Sequence, residues 1–489
     1  MRMSRGVGFA AAMVLLAAPA AVAIESAGSA VAAPAVAVKH PPKVRGDFDG
    51  DGKSDIVVGA PGGDRVRVVY SKAKPHARWI TSPDAQALDF GAALAIGDFN
   101  GDGFTDLAVG APDYTNSEDS TEQGAVFIYE GSKTGLHYTG TVFKGPDAED
   151  DDNELGMSLA AGDVNADGFA DLAVSNPGPE GGGDGMGYVL VYFGTGAGLV
   201  ESGKAVIVSA DPVEEGNFGQ SVALGDVNGD GFKDVIVGEP GGGAGGITGD
   251  PSDHAGDVQV FYGKATGIGP KHTTFVGTKF SASGSLGWSV AAGDFNHDGY
   301  ADVAAGAPDA SVRGKALAGK VLVLFGHKHG MTAKGARVFS KATPHVPGAA
   351  VSTDRFGLAV AIGDVNDDRR ADLLVGVPGG TAAGKPAAGE VYVLHGTKTG
   401  LAAVGCQVLS QATKGIPGAA VSGSEFGAAI TTIGPTNAAH RRVLIAVPAK
   451  HKGGWLIEAP TGRHGVTGVH SRVIKDLSAG DALGSALPQ

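Results

Sequence analysis

Residues 89–112 read DFGAALAIGDFNGDGFTDLAVGAP. An aromatic-glycine pair leads into alternating small and apolar residues. A loop follows in which Asp or Asn recurs at every second place, and then a short apolar run closed by Gly-Ala-Pro. The period of two, bounded by turn residues, predicts two short strands joined by a tight acidic hairpin. The stretch returns as LGMSLAAGDVNADGFADLAVSNP from Leu155, FGQSVALGDVNGDGFKDVIVGEP from Phe218, LGWSVAAGDFNHDGYADVAAGAP from Leu286 and FGLAVAIGDVNDDRRADLLVGVP from Phe356. A worn copy, FGAAITTIGPTNAAHRRVLIAVP, starts at Phe426, and a front-truncated one, GDFDGDGKSDIVVGAP, at Gly46. The first loop Asp falls at 47, 98, 163, 226, 294 and 364, with Gly434 at the matching place, so the period runs from 51 to 70 residues.

Each unit continues alike. After the Pro comes a loop, then a strand-like run such as GAVFIYEG (124–131) or GYVLVYFG (187–194), then a short fourth run such as TVFKG (141–145) or ARVFS (336–340). No segment keeps a helical period. Four short antiparallel strands repeated at this spacing are propeller blades. The fold class is all-β: a seven-bladed β-propeller of four-stranded antiparallel blades. The chain ends on DALGSALPQ (481–489), which repeats the opening of a unit, while the first unit lacks that opening. The sequence therefore predicts closure by a terminal strand, with the two ends of the chain sharing one blade and hiding the ring's open edges.

Phe-Gly, an acidic loop and Gly-Ala-Pro together make the pattern of the FG-GAP repeat. Residues 46–489 resemble the N-terminal β-propeller of integrin α chains and secreted bacterial FG-GAP proteins. They are also similar to the propeller part of the phospholipase D that cleaves glycosylphosphatidylinositol anchors. The resemblance implies a ligand on the face opposite the acidic loops.

Asp98, Asn100, Asp102 and Asp106 stand at positions one, three, five and nine of DFNGDGFTD, with the carbonyl of Phe104 at position seven and a Gly at six for the bend. Alternate spacing lets a curled loop aim its odd positions inward, and an all-oxygen cage of carboxylates, amide and carbonyl suits Ca²⁺ better than Mg²⁺ or Zn²⁺. The same set recurs as Asp47, Asp49, Asp51, Lys53 (carbonyl) and Asp55; as Asp163, Asn165, Asp167, Phe169 and Asp171; as Asp226, Asn228, Asp230, Phe232 and Asp234; and as Asp294, Asn296, Asp298, Tyr300 and Asp302. The sixth loop keeps Asp364, Asn366, Asp368 and Asp372 but has Arg369 at the Gly position, which should resist the bend. The seventh has no acids. A single copy reads equally as an Asx-rich turn. Six copies, each crowding three or four carboxylates, ask for a cation, so about five or six calcium sites are expected.

Residues 1–260 carry 15 Lys and Arg against 38 Asp and Glu, whereas residues 261–489 carry 23 against 14. Calcium in the acidic loops would offset much of the first excess. No basic groove with interleaved aromatics invites nucleic acid. Residues 1–23 read as a secretory signal peptide, with Arg2 and Arg5 before an apolar run and a small-residue cut after Ala23. Residues 24–45 read as a disordered Ala/Pro-rich leader, and no later run is long enough to span a membrane. The single Cys406 has no partner for an internal disulfide and reads as a small packing residue. GGGAGG (241–246) lacks the helix that a dinucleotide site needs. No G-x-S-x-G or H-E-x-x-H motif occurs, so catalysis is not indicated. Long irregular loops at 113–123, 145–156 and 241–256 fall on the face opposite the acidic loops. The expected molecule is a secreted, monomeric, calcium-binding adhesion module for a protein or glycan. An extracellular hydrolase and a purely structural envelope protein are the alternatives.

Overall fold

Each repeat folds into one antiparallel sheet whose strands pair in sequence order. The computed structural model describes residues 45–71, 77–115, 123–145, 153–178, 187–209, 216–241, 255–434, 441–448 and 454–474. Blade 2 consists of Ala93–Gly97, Asp106–Ala111, Ala125–Glu130 and His137–Lys144. Blade 3 spans Leu159 to Val208, blade 4 Ser221 to Val276, blade 5 Ser289 to Phe339 and blade 6 Ala359 to Leu409, each with the same order of four strands. Blade 7 is built on Ile430–Ile433, Arg442–Val447, Trp455–Gly462 and Arg472–Ile474. Blade 1 shows three strands, Ile56–Ala60, Arg65–Val69 and Ala77–Thr81. The result is a seven-bladed β-propeller, and among the described residues no helix is long and apolar enough to cross a membrane.

The two halves of the repeat motif explain each other. The Phe or Leu of each Phe-Gly pair (Phe90, Leu155, Phe218, Leu286, Phe356, Phe426) is buried between blades. Such burial stabilises by roughly 1.5–3 kcal/mol per side chain. The Gly that follows takes a left-handed φ, from +91° at Gly427 to +101° at Gly91. Its carbonyl presses on the Gly of the preceding blade's Gly-Ala-Pro. A Cβ on Gly110 would sit 2.1 Å from the Gly156 oxygen, and one on Gly306 would sit 2.0 Å from that of Gly357. Two backbones touch there, so neither position accepts a side chain.

Second strands such as Asp106–Ala111 and Asp234–Glu239 are buried along their whole length, because a neighbouring blade covers each face. The fourth strands begin earlier than the sequence suggests, at His137 and Thr332 rather than 141 and 336, because a bulge at Phe127/Tyr129 or Val323/Phe325 lets pairing resume beyond it. Cys406 lies in the fourth strand of blade 6, packed against its core, and burial pushes its thiol up to about 12. Blades 7 and 1 meet through Leu444, Ala446, Leu456 and Ile474 against Ile56 and Val58. The strand expected from 481–489 lies outside the described residues. So do the signal peptide, all of the leader before Arg45, GGGAGG beyond Gly241, and most of the three long loops.

Equivalent turns carry different chemistry. After blade 5, Ser340 N donates to Thr343 Oγ1 at 2.9 Å, and after blade 6 Ser410 N donates to Thr413 Oγ1 at 3.0 Å. Inside the first turn, buried Lys341 reaches Glu390 at 3.0 Å and Asp354 at 3.3 Å. Inside the second, Gln411 and Ser424 replace the charges, with Ser424 Oγ donating to Gln411 Oε1 at 3.3 Å.

Candidate metal centre and ligand face

The acidic loops share one hydrogen-bonded form. In loop two Asp98 Oδ1 accepts from Asp102 N (3.1 Å), Asp98 Oδ2 from Gly103 N (3.0 Å), and Asn100 Oδ1 from Asp102 N (3.0 Å). Asp102 Oδ1 accepts from Phe104 N at 2.9 Å. These bonds fold the side chains at positions one, three and five back onto the loop's own amides. Loop one gathers Asp47, Asp49 and Asp55 so that one oxygen of each lies within 4.8 Å of the others.

Position nine does more than its place in the sequence reveals. Asp106 accepts from Phe99 N at 2.8 Å within its loop, and from Gly131 N at 2.9 Å at the end of the third strand. Asp171, Asp234, Asp302 and Asp372 repeat both bonds. Asp55 uses Phe48 N and Ser71 N. Each carboxylate staples the hairpin to the next strand. Burial is also the main force raising their pKa, to about 8 for Asp106 and about 7 for Asp55, Asp171, Asp234 and Asp302, and the backbone donors only partly offset it. An all-oxygen donor set that contains a buried, poorly ionised carboxylate fits a hard divalent cation, which stabilises the ionised form.

Neighbouring loops are joined in series. The amide at position eight of each loop donates to the carbonyl at position one of the loop before it: Thr105 to Asp47, Ala170 to Asp98, Lys233 to Asp163, Ala301 to Asp226 and Ala371 to Asp294, over 2.8 to 3.3 Å.

Loops six and seven depart from this plan. Arg369 does not resist the bend as expected. It adopts φ +69° and donates its N–H to Asp364 Oδ2 at 2.8 Å, as the glycines do. The side chains differ instead, with Arg370 beside Asp368 and His395 beside Asp372. In blade 7 the position-nine Asp has become Arg442, held by Glu458 at 2.7 Å, which also holds Arg472 at 2.6 Å. An ion triad centred on buried Glu458, with Arg472 exposed, replaces the carboxylate staple there.

At the opposite end of the first strands lies a cavity of about 730 Å³ on the propeller axis. Its lining follows the repeat. The residue just after each Phe-Gly or Leu-Gly pair enters it: Ala92, Met157, Gln220, Trp288, Leu358 and Ala428. Asp89, Glu154 and Arg355, which precede such pairs, enter it too. One backbone turn holds both places, because the later amide donates to the earlier carbonyl, as in Ala92 to Asp89 and Trp288 to Ser285. Trp288 is 37% exposed. Burial and the nearby carboxylates of Asp113 and Asp64 raise the pKa of Asp89. The sequence showed these places as the variable letters of a constant motif but did not show that they converge.

The family model described as an FG-GAP repeat matches residues 90–129, 155–190, 218–261, 286–324 and 356–394, and one described as an FG-GAP-like repeat matches 47–109. The chain is built of FG-GAP repeats. Human phosphatidylinositol-glycan-specific phospholipase D is 29% identical over 400 residues, 73% of this FG-GAP chain and 45% of that protein. Integrin alpha-PS2 of Drosophila melanogaster is 33% identical over 208 residues, 40% of this chain and 15% of its own length. Mouse integrin alpha-IIb is 34% identical over 210 residues, covering 40% and 19%. The chain thus spans less than half the length of these relatives. Among solved structures, the Dos1 propeller overlaps 78% of this chain and 83% of its own at a TM-score of 0.37 and 10% identity. An exotype rhamnogalacturonan lyase overlaps 86% of this chain and 76% of its own at a TM-score of 0.40 and 11% identity.

Proposed function

We propose that this FG-GAP propeller is a secreted binding or adhesion module, stiffened by calcium in its acidic loops, that takes a protein or glycan ligand at the axial cavity on the opposite face. One observation carries the reading: a fixed backbone turn, repeated blade after blade, delivers variable side chains into a single cavity. Rigid scaffold with variable contacts is how binding surfaces are built, and about 730 Å³ is the size of a ligand pocket. Its lining combines an aromatic platform (Trp288), an amide (Gln220), carboxylates (Asp89, Glu154) and a guanidinium (Arg355). The acidic loops sit at the far end of the same strands, where a cation fixes the scaffold without blocking the cavity.

A glycan array and a pull-down with purified protein, run in calcium and in EDTA, identify the ligand class. Trp288→Ala is expected to weaken binding by about 30-fold, the loss typical of a buried aromatic anchor, and to leave the melting temperature unchanged. Binding that is indifferent to both Trp288→Ala and Arg355→Ala removes the cavity from the account. EDTA is expected to lower the melting temperature, and an unchanged melt with no metal by elemental analysis refutes the calcium reading.

A further inference from the structure

We infer that loop six fills its cage with its own side-chain nitrogens and takes no metal, with Arg370 and His395 as the residues that exclude calcium from it. The inference rests on calcium being the occupant of the five sister loops, which serve as internal controls.

The backbone of loop six is that of a metal loop. Asp364 Oδ1 accepts from Asp368 N at 3.1 Å and Asn366 Oδ1 from Asp368 N at 3.0 Å, and Asp372 keeps both of its staple bonds. The loop's fold is intact, so its lack of a position-six glycine does not disable it. What differs is which groups face the carboxylates. At position seven, loops two to five have Phe104, Phe169, Phe232 and Tyr300, whose aromatic rings bring no charge. Loop six has Arg370, and its guanidinium lies 3.4 Å from Asp368 Oδ2. Just before the glycine that caps position nine, loops three to five have Phe193, Tyr262 and Phe325. Loop six has His395, whose Nδ1 lies 3.3 Å from Asp372 Oδ1.

The position-three amide records the change. In loops two to five its Nδ2 donates to the Asp at position five, over 2.8 Å at Asn296 and 3.2 Å at Asn100. In loop six Asn366 Nδ2 instead turns 3.4 Å from both Asp372 Oδ1 and His395 Nδ1. The carboxylates at positions five and nine, which in loops two to five meet only amide N–H groups, here also face a guanidinium and an imidazole. A metal entering loop six has to displace a guanidinium and an imidazole, whereas in loops two to five it meets carboxylates with no cationic side chain at position seven.

The test counts bound calcium by equilibrium dialysis and metal analysis on four versions of the full chain. Asp364→Asn with Asp368→Asn in loop six is expected to leave the number bound unchanged. Asp294→Asn with Asp298→Asn in loop five is expected to lower it by one. Arg370→Phe with His395→Phe, which installs the residues of the sister loops, is expected to raise it by one. The inference is overturned if the loop-six Asn pair loses an ion, or if the Phe pair gains none while melting like the parent. A parent chain that binds no calcium overturns the reading of the sister loops, a result distinct from either of these.

Discussion

Asp106→Asn separates the two tasks of a position-nine carboxylate. The side chain is fully buried and accepts from Phe99 N and Gly131 N at 2.8 and 2.9 Å. Asparagine keeps one acceptor and sets its amide against the other N–H. A lost bond and an unpaired buried donor cost about 1–3 kcal/mol. Asparagine also removes a carboxyl group that burial lifts to about 8, so without metal the loss falls toward the low end of that range. With calcium about a hundredfold above its Kd, loop two further loses the roughly 2.7 kcal/mol that ligand binding adds by mass action. The expected loss is therefore about 1–3 kcal/mol in EDTA and about 4–6 kcal/mol in calcium, read from urea denaturation midpoints in both conditions. Equal losses in the two conditions refute the metal role of Asp106 and leave only the staple.

Two further outcomes follow from buried charge. Lys341→Met leaves Asp354 and Glu390 without their cation and should cost about 3–5 kcal/mol, while Lys341→Gln with Asp354→Ser, the pair used after blade 6, leaves only Glu390 without it and should cost less; a double variant as unstable as the single, by chemical denaturation, refutes this account of the turn. Asp55, Asp106, Asp171, Asp234 and Asp302 have folded pKa values of about 7 to 8 against 3.8 ordinarily, so between those values the folded chain binds more protons than the unfolded one. Stability in EDTA must then fall as pH rises through that window, and calcium should suppress the fall; a metal-free melting temperature that climbs from pH 5 to pH 8 contradicts the burial argument.

The blades were legible in the sequence because every strand carries a local signature, a period of two bounded by glycine or proline. The hydrogen-bonded form of the acidic loops was legible for the same reason, since it is built within nine consecutive residues. What escaped was whatever depends on contacts between distant segments. The glycines of the motif looked like turn residues, yet Gly110 is required by the carbonyl of Gly156 in the next blade. Arg369 drew attention as the odd letter of loop six, but a single residue can take a left-handed φ. The groups that alter the loop are Arg370, one place on, and His395, which only the third strand brings near. Residues such as Ala92, Gln220 and Trp288 share no chemistry, so nothing in their letters announced that the axis gathers them into one cavity.

On the calcium reading proposed above, the amide-to-carbonyl links between successive acidic loops have a consequence for how the ring would fill with metal. The five links join six loops in a line. A cation that fixes one loop also fixes the carbonyl to which the next loop is tied, so part of the ordering entropy of the second event is already spent. Binding along such a line is a nearest-neighbour process, as in a repeat array. Interior loops gain from a neighbour on either side and end loops from only one. Ions should accordingly enter as contiguous runs and leave first from the ends. With loop six free of metal, loops one and five are the ends and the first to empty as calcium falls, and loop one belongs to blade 1, which packs against blade 7. On the calcium reading proposed above, one of the first two ions to leave lies at the seam between blades 7 and 1.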